Sequence, residues 1–229
     1  PCIGTFNLTR VGASPDSFAS TAAGTPAAPS AVAVARRAPP VSASCRLDLP
    51  QPLAKPVGAR SGVEPKPRLI VLAVGLSTYG DPALNLAFAA KDACDFARAL
   101  VAQSGGLYRE VVASVLLDGD ATRERVLDGL DWVQQQATER DVSAVFMAGH
   151  GVNDATGEYF FLSFDARLDR LERTSLSQSE IRRVLSLTPG KALFFFDTCH
   201  SGQIMAMRRA LPPDVDRFVA ALQSAENGV

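Results

Sequence analysis

Two apolar runs, each cut off sharply by reactive residues, constrain this chain more than any other feature. Lys191 to Gly202 reads K-A-L-F-F-F-D-T-C-H-S-G. Leu193 to Phe196 are continuously apolar, the pattern of a strand buried on both faces of a parallel sheet. The run then stops on Asp197, Thr198, Cys199, His200, Ser201 and Gly202. Asp141 to Ala148 has the same construction and ends in Gly149, His150 and Gly151. In open α/β sheets, ligands bind at the carboxyl ends of the strands. Two central strands therefore bring a His and a Cys to one edge. A Cys nucleophile with a sequence-distant His is a known catalytic arrangement.

The rest of the chain supports that frame. Arg68 to Gly75 reads as a first buried strand, and Glu110 to Leu117 as a second. Helical spacing runs over Leu86 to Gln103, and again from Asp120 or Thr122 to about Glu139. Ser177 with Glu180 three residues on makes a capping box for a helix reaching Leu187. Glu158 to Phe164 is a short strand that pairs back as a hairpin across V-N-D-A-T-G. Further helices are expected at Ile204 to Ala210 and Val215 to Ala225. Alternating strands and helices with short links predict a mainly parallel sheet with helices on both faces.

Residues 1–67 differ in kind. Ala, Pro, Ser, Gly and Val dominate, with little helix or strand period. Such a segment buries too little apolar surface to offset its ordering entropy and is expected to be a disordered linker. The domain is expected over residues 68–229. Arg36-Arg37 is read as a solvated basic pair, with linker cleavage as the sharper alternative.

A net charge of -1 argues against nucleic-acid or membrane-surface binding driven by bulk charge. No apolar run reaches the roughly 18 residues a bilayer span needs. The four cysteines, Cys2, Cys45, Cys94 and Cys199, form no C-x-x-C pair. A disulfide or zinc framework is therefore not expected, Cys94 reads as a packed small residue, and a reducing, cytoplasmic setting fits. The glycines after the first strand do not make G-x-G-x-x-G, which disfavours a nucleotide site.

A-G-H-G followed by D-T-C-H-S-G resembles the caspase-like cysteine peptidases, in the metacaspase and bacterial orthocaspase branch. His150 precedes Cys199 by about 50 residues, the caspase spacing. Asp197 and His200 depart from the animal-caspase signature Q-A-C-[RQG]-G. The resemblance covers roughly Arg68 to Val229 and implies a caspase-like three-layer fold. That fold continues past its Cys with further strands, so the domain is expected to be C-terminally truncated at Val229 and open to fusion with other domains.

The resemblance implies a cysteine endopeptidase acting on protein or peptide substrates. His150 and Cys199 would be the catalytic dyad. The backbone N–H groups of Cys199 and Gly151 would meet the oxyanion. The resemblance puts Asp92 in the pocket for a basic side chain. Asp197 adds a second anion, so cleavage after Arg or Lys is expected, not after Asp. His200 reads as structural. Metacaspases often need Ca²⁺, and Asp165, Asp169 and Glu172 would be the oxygen donors. These acids lack EF-hand spacing and calcium-independent orthocaspases exist, so no cofactor is expected and Ca²⁺ is left open. Arg208-Arg209 is a basic helix end or a self-processing site. The alternative function is a caspase-like signalling or scaffold module with little or no proteolysis.

Overall fold

The protein is described by a computed structural model over residues 41–47 and 66–199. The expectations for Arg36-Arg37, His200, Arg208-Arg209 and the two helices after the Cys strand lie outside those residues.

Four strands form a parallel sheet in the order β2-β1-β3-β6. They are β1 (Arg68–Gly75), β2 (Glu110–Leu117), β3 (Val142–Asn153) and β6 (Lys191–Cys199). β1 is central, with seven of eight residues buried. Burial of this kind contributes about 1.5–3 kcal/mol per aliphatic side chain. Its alternate residues serve different cores. Ile70, Leu72 and Val74 pack with Val126, Leu130 and Val133 of α2 (Arg123–Gln136) and Ile181 of α4 (Gln178–Leu187). Ala73 on the other face packs with Ala89, Ala93 and Ala97 of α1 (Ala89–Val101), while Leu69 and Val71 pack with Val101. Helices thus cover both faces, the expected three-layer α/β arrangement.

The local signals act as the sequence reading has them. Ser177 and Glu180 close the capping box of α4. Thr122 caps α2 by accepting the Arg125 N–H. β4 (Tyr159–Leu162) folds back antiparallel on the end of β3, and β5 (Ser175–Ser177) pairs with β4 after the short helix α3 (Leu171–Thr174). One boundary differs. β3 runs on to Asn153, so Gly149, His150 and Gly151 lie within the strand rather than in a loop beyond it. The extension exists because β4 supplies a new partner, pairing Gly151 with Phe161 and Asn153 with Tyr159.

Two expectations are corrected. Cys45 and Cys94 form a disulfide, so Cys94 is not merely a packed thiol. The spacing argument failed because the bridge joins cysteines 49 residues apart, which no local motif reports. The cysteine count therefore gives no support to a reducing compartment. The second correction concerns residues 41–47 within the expected linker. The Ser42 N–H donates to the Val115 carbonyl, and the Ser42 hydroxyl accepts the Leu117 N–H. Val41 and Leu47 pack against the α1 core. This piece lines the outer side of β2, where it pairs backbone groups that an edge strand leaves open. Among the described residues, no helix is long and apolar enough to cross a membrane.

Candidate active site

The parallel register of β3 and β6 sets Val142 opposite Lys191 and carries through to His150 opposite Cys199. Neighbouring strands lie about 4.8 Å apart, so the two backbones are adjacent at the carboxyl edge of the sheet. The sequence expectation that both residues arrive at one edge is met at the level of the backbone.

His150 is buried, at 3% exposure. Its Nε2 lies 2.8 Å from the Leu84 carbonyl oxygen. A carbonyl only accepts, so Nε2 carries the hydrogen and the neutral ring leaves its lone pair on Nδ1. Nδ1 is buried and has no hydrogen-bond partner among the described residues. Burial pushes the imidazole below its ordinary value, partly offset by the Leu84 carbonyl. The neutral ring is thus favoured by burial and fixed in one tautomer, with the Nδ1 lone pair unmatched among the described residues.

The loop after β1 builds this orientation. Asp81 accepts the Ala83 N–H and starts a single 3-10 turn, Pro82–Leu84. Asn85 Oδ1 accepts the Tyr79 N–H at 2.9 Å. The Tyr79 hydroxyl accepts the His150 backbone N–H at 2.9 Å, and the two rings sit 5.3 Å apart. By its sequence, L-S-T-Y-G-D-P, this stretch reads only as a loop. A backbone carbonyl leaves no residue signature, so the Leu84 contact was beyond it. Tyr79 carried a faint signal, an aromatic in the loop that leaves a central strand at the ligand-binding edge.

Asp92 lies in the first turn of α1. Gly75 brings that turn close, since a Cβ there would lie 2.4 Å from the Ala89 carbonyl oxygen and 2.6 Å from the Ala93 Cβ. The helix start therefore sits directly on the end of β1. Asp197 lies opposite Ala148, two residues before Cys199. Burial raises its carboxyl above the ordinary value, and the Asp92 charge adds to the rise. The two acids are near enough to repel, and no ion pair among the described residues includes either of them.

Gly151 needs to be glycine for a reason other than substrate approach. A Cβ there would meet the Tyr159 hydroxyl at 2.1 Å. The loop acids Asp165, Asp169 and Glu172 do not assemble as cation ligands. Asp165 Oδ1 accepts from the Ser163 hydroxyl and the Arg123 N–H, and Asp169 pairs with Arg167 and Arg170. Among the described residues, no group of three or more His, Cys, Asp and Glu is arranged to hold a metal ion. These loop acids do not fit a calcium site. Asp165 and Asp169, with Gly80, Asp81, Leu84 and Phe164, instead border an open cleft of about 460 Å³ behind the Leu84 turn.

The caspase domain matches residues 68–227 of this chain. The chain belongs to the caspase-domain family. No protein of curated function matches it. A crystal structure of a protein from Geobacter sulfurreducens is similar at 25% identity, with a TM-score of 0.48. The match covers 62% of this chain and 54% of that one, so the caspase-like chain spans about half the length of that relative. The matched family is a peptidase family.

Proposed function

We propose that this caspase-domain chain is a cysteine endopeptidase that cuts after Arg or Lys through a His150–Cys199 dyad. The observation that carries the proposal is the pairing of His150 with Cys199 across β3 and β6, with His150 Nδ1 lacking a hydrogen-bond partner among the described residues. In this reading the Cys199 thiol gives its proton to Nδ1, and its sulfur attacks the scissile carbonyl carbon. The carbonyl electrons move to oxygen, where the N–H groups of Cys199 and Gly151 stabilise the oxyanion. Collapse breaks the C–N bond, and the imidazolium returns its proton to the leaving amine. Water then hydrolyses the thioester, with His150 taking one water proton and returning it to the thiol.

The basic preference rests on Asp92 and Asp197. Burial and the Asp92 charge both raise the Asp197 carboxyl, and a bound cation would offset both effects. A guanidinium or ammonium supplies that cation, whereas an aspartate side chain adds a third negative charge. The same Asp197, in D-T-C-H-S-G, supports placement in the metacaspase and orthocaspase branch.

The test uses the full chain with fluorogenic peptides carrying Arg, Lys or Asp before the reporter. Turnover of the Arg and Lys peptides, abolished in Cys199→Ala and His150→Ala, supports the proposal. Absence of turnover with a Cys199 thiol no more reactive than a free cysteine would favour the signalling or scaffold role.

A further inference from the structure

His150 is gripped at its backbone as well as at its ring. Leu76 donates its N–H to the Ala148 carbonyl, the last rung between the β1 side and β3. The chain then turns away from the sheet. The next N–H of β3 on that side, from His150, would be left buried without a strand partner, which is costly for an amide donor. The Tyr79 hydroxyl fills that place at 2.9 Å. It does so by reaching into the space of a missing side chain, since a Cβ on Gly149 would lie 2.8 Å from the Tyr79 oxygen.

The grip is one unit. Tyr79 is tied through its N–H to Asn85 Oδ1, and Asn85 directly follows Leu84, whose carbonyl holds Nε2. The Tyr79 ring lies 5.3 Å from the imidazole at an angle of 34°. One seven-residue loop, Tyr79 to Asn85, therefore contacts His150 at the backbone, the ring face and Nε2.

On the other side of His150, the Tyr159 ring fills the space a Gly151 Cβ would take. Its hydroxyl reaches the Thr198 side chain, the neighbour of Cys199. The glycines of G-H-G thus admit two tyrosines under the strand end.

We propose that Tyr79 is a positioning residue for His150, acting as a clamp whose hydroxyl replaces the missing strand rung and whose loop presents the Leu84 carbonyl. The inference rests on the peptidase reading above. It assigns Tyr79 no contact with substrate. Its effect is on where Nδ1 sits, and chemistry of this kind is sensitive to displacements of an ångström or less.

The experiment compares wild type, Tyr79→Phe, Asn85→Ala and Asn85→Asp in the full chain. Two readouts are taken: steady-state kinetics on an Arg peptide, and the rate of iodoacetamide reaction at Cys199. Asn85 is exposed, so its substitution tests the clamp without disturbing the core. Tyr79→Phe and Asn85→Ala are expected to lower kcat about tenfold with KM within about twofold. Asn85→Asp keeps the acceptor oxygen and is expected to retain most activity. In a His150→Ala background, adding Tyr79→Phe should change the alkylation rate no further, because Tyr79 acts only through His150. Wild-type turnover with Tyr79→Phe and Asn85→Ala both at full kcat overturns the clamp and leaves the peptidase reading standing. An equal further loss in the His150→Ala background also overturns it. If wild type itself neither turns over nor shows His150-dependent alkylation, the peptidase reading fails, and the clamp fails with it.

Discussion

His150 and Cys199 stand directly opposite one another on adjacent parallel strands, the last register pair of β3 and β6. Both backbones belong to the sheet at that point. The position of one relative to the other is set by the ladder that begins at Val142 and Lys191. Sites carried on strands are held more closely than sites on loops, which suits a proton transfer that tolerates little displacement.

The acid pair sets the first prediction. In the proposed pocket, Asp197→Asn would remove one partner of a partly desolvated charge contact with the substrate cation. Such truncations cost on the order of 3 kcal/mol, so kcat/KM for Arg peptides should fall about 100-fold. Measured kinetics on Arg and neutral peptides check this: the neutral peptide should change far less. Equal losses on both would remove Asp197 from the pocket.

The same pair predicts a pH effect. The Asp197 carboxyl is raised by burial and by Asp92. It therefore takes up a proton at a higher pH than an ordinary aspartate, and KM for Arg peptides should begin to rise there as pH falls. Asp92→Asn removes the neighbouring charge and should move that acid limb to lower pH. An unmoved limb in Asp92→Asn would separate the two acids.

Acid stability should track Asp141. Burial pushes its carboxyl up, but hydrogen bonds from Arg68 and Thr138 outweigh burial and hold it at about 2, below the ordinary 3.8. Its Oδ2 lies 2.7 Å from the Arg68 guanidinium, and its side chain is 2% exposed. A depressed carboxyl contributes stability that is complete above the unfolded value and is lost as pH falls from 3.8 toward 2. The shift corresponds to about 2 kcal/mol at neutral pH. Urea unfolding of Asp141→Asn should show a loss of that order at pH 7 and a gap from wild type that narrows in acid.

The disulfide ties residues 41–47 to α1, the helix that carries Asp92. Closing a long loop restricts the unfolded chain, so Cys45→Ser should cost about 2–4 kcal/mol. In the unfolded but unreduced protein, iodoacetamide should leave Cys45 and Cys94 unlabelled until a dithiol reductant is added. Labelling of both before reduction would contradict the bridge.

Much of this fold is readable from residues because strand burial is a local pattern. R-L-I-V-L-A-V-G and E-V-V-A-S-V-L-L each form the strand their apolar runs predict. The Ser177–Glu180 box fixes the start of α4 in the same local way. The hairpin of Glu158 to Phe164 on the chain before it was legible, but the end of β3 was not, because the glycines of G-H-G read as a strand stop and the pairing of Gly151 with Phe161 carries the strand through them. The Cys45–Cys94 bridge and the packing of residues 41–47 are tertiary facts, decided by where the edge of β2 needs cover. In the candidate site, His150, Cys199 and Asp197 stood out by chemistry, and Asp92 through the family resemblance. Leu84 and Tyr79 did not, because the first acts through its backbone and the second beneath a glycine.

The most direct measurement of the central claim is active-site labelling with turnover in one preparation. The full chain is treated with an Arg-based electrophilic peptide, and both the labelled residue and the residual hydrolysis of an Arg peptide are read. The account predicts one label, on Cys199, loss of hydrolysis in proportion to labelling, and neither label nor hydrolysis in His150→Ala. Labelling elsewhere, or hydrolysis that persists in Cys199→Ala, would contradict it.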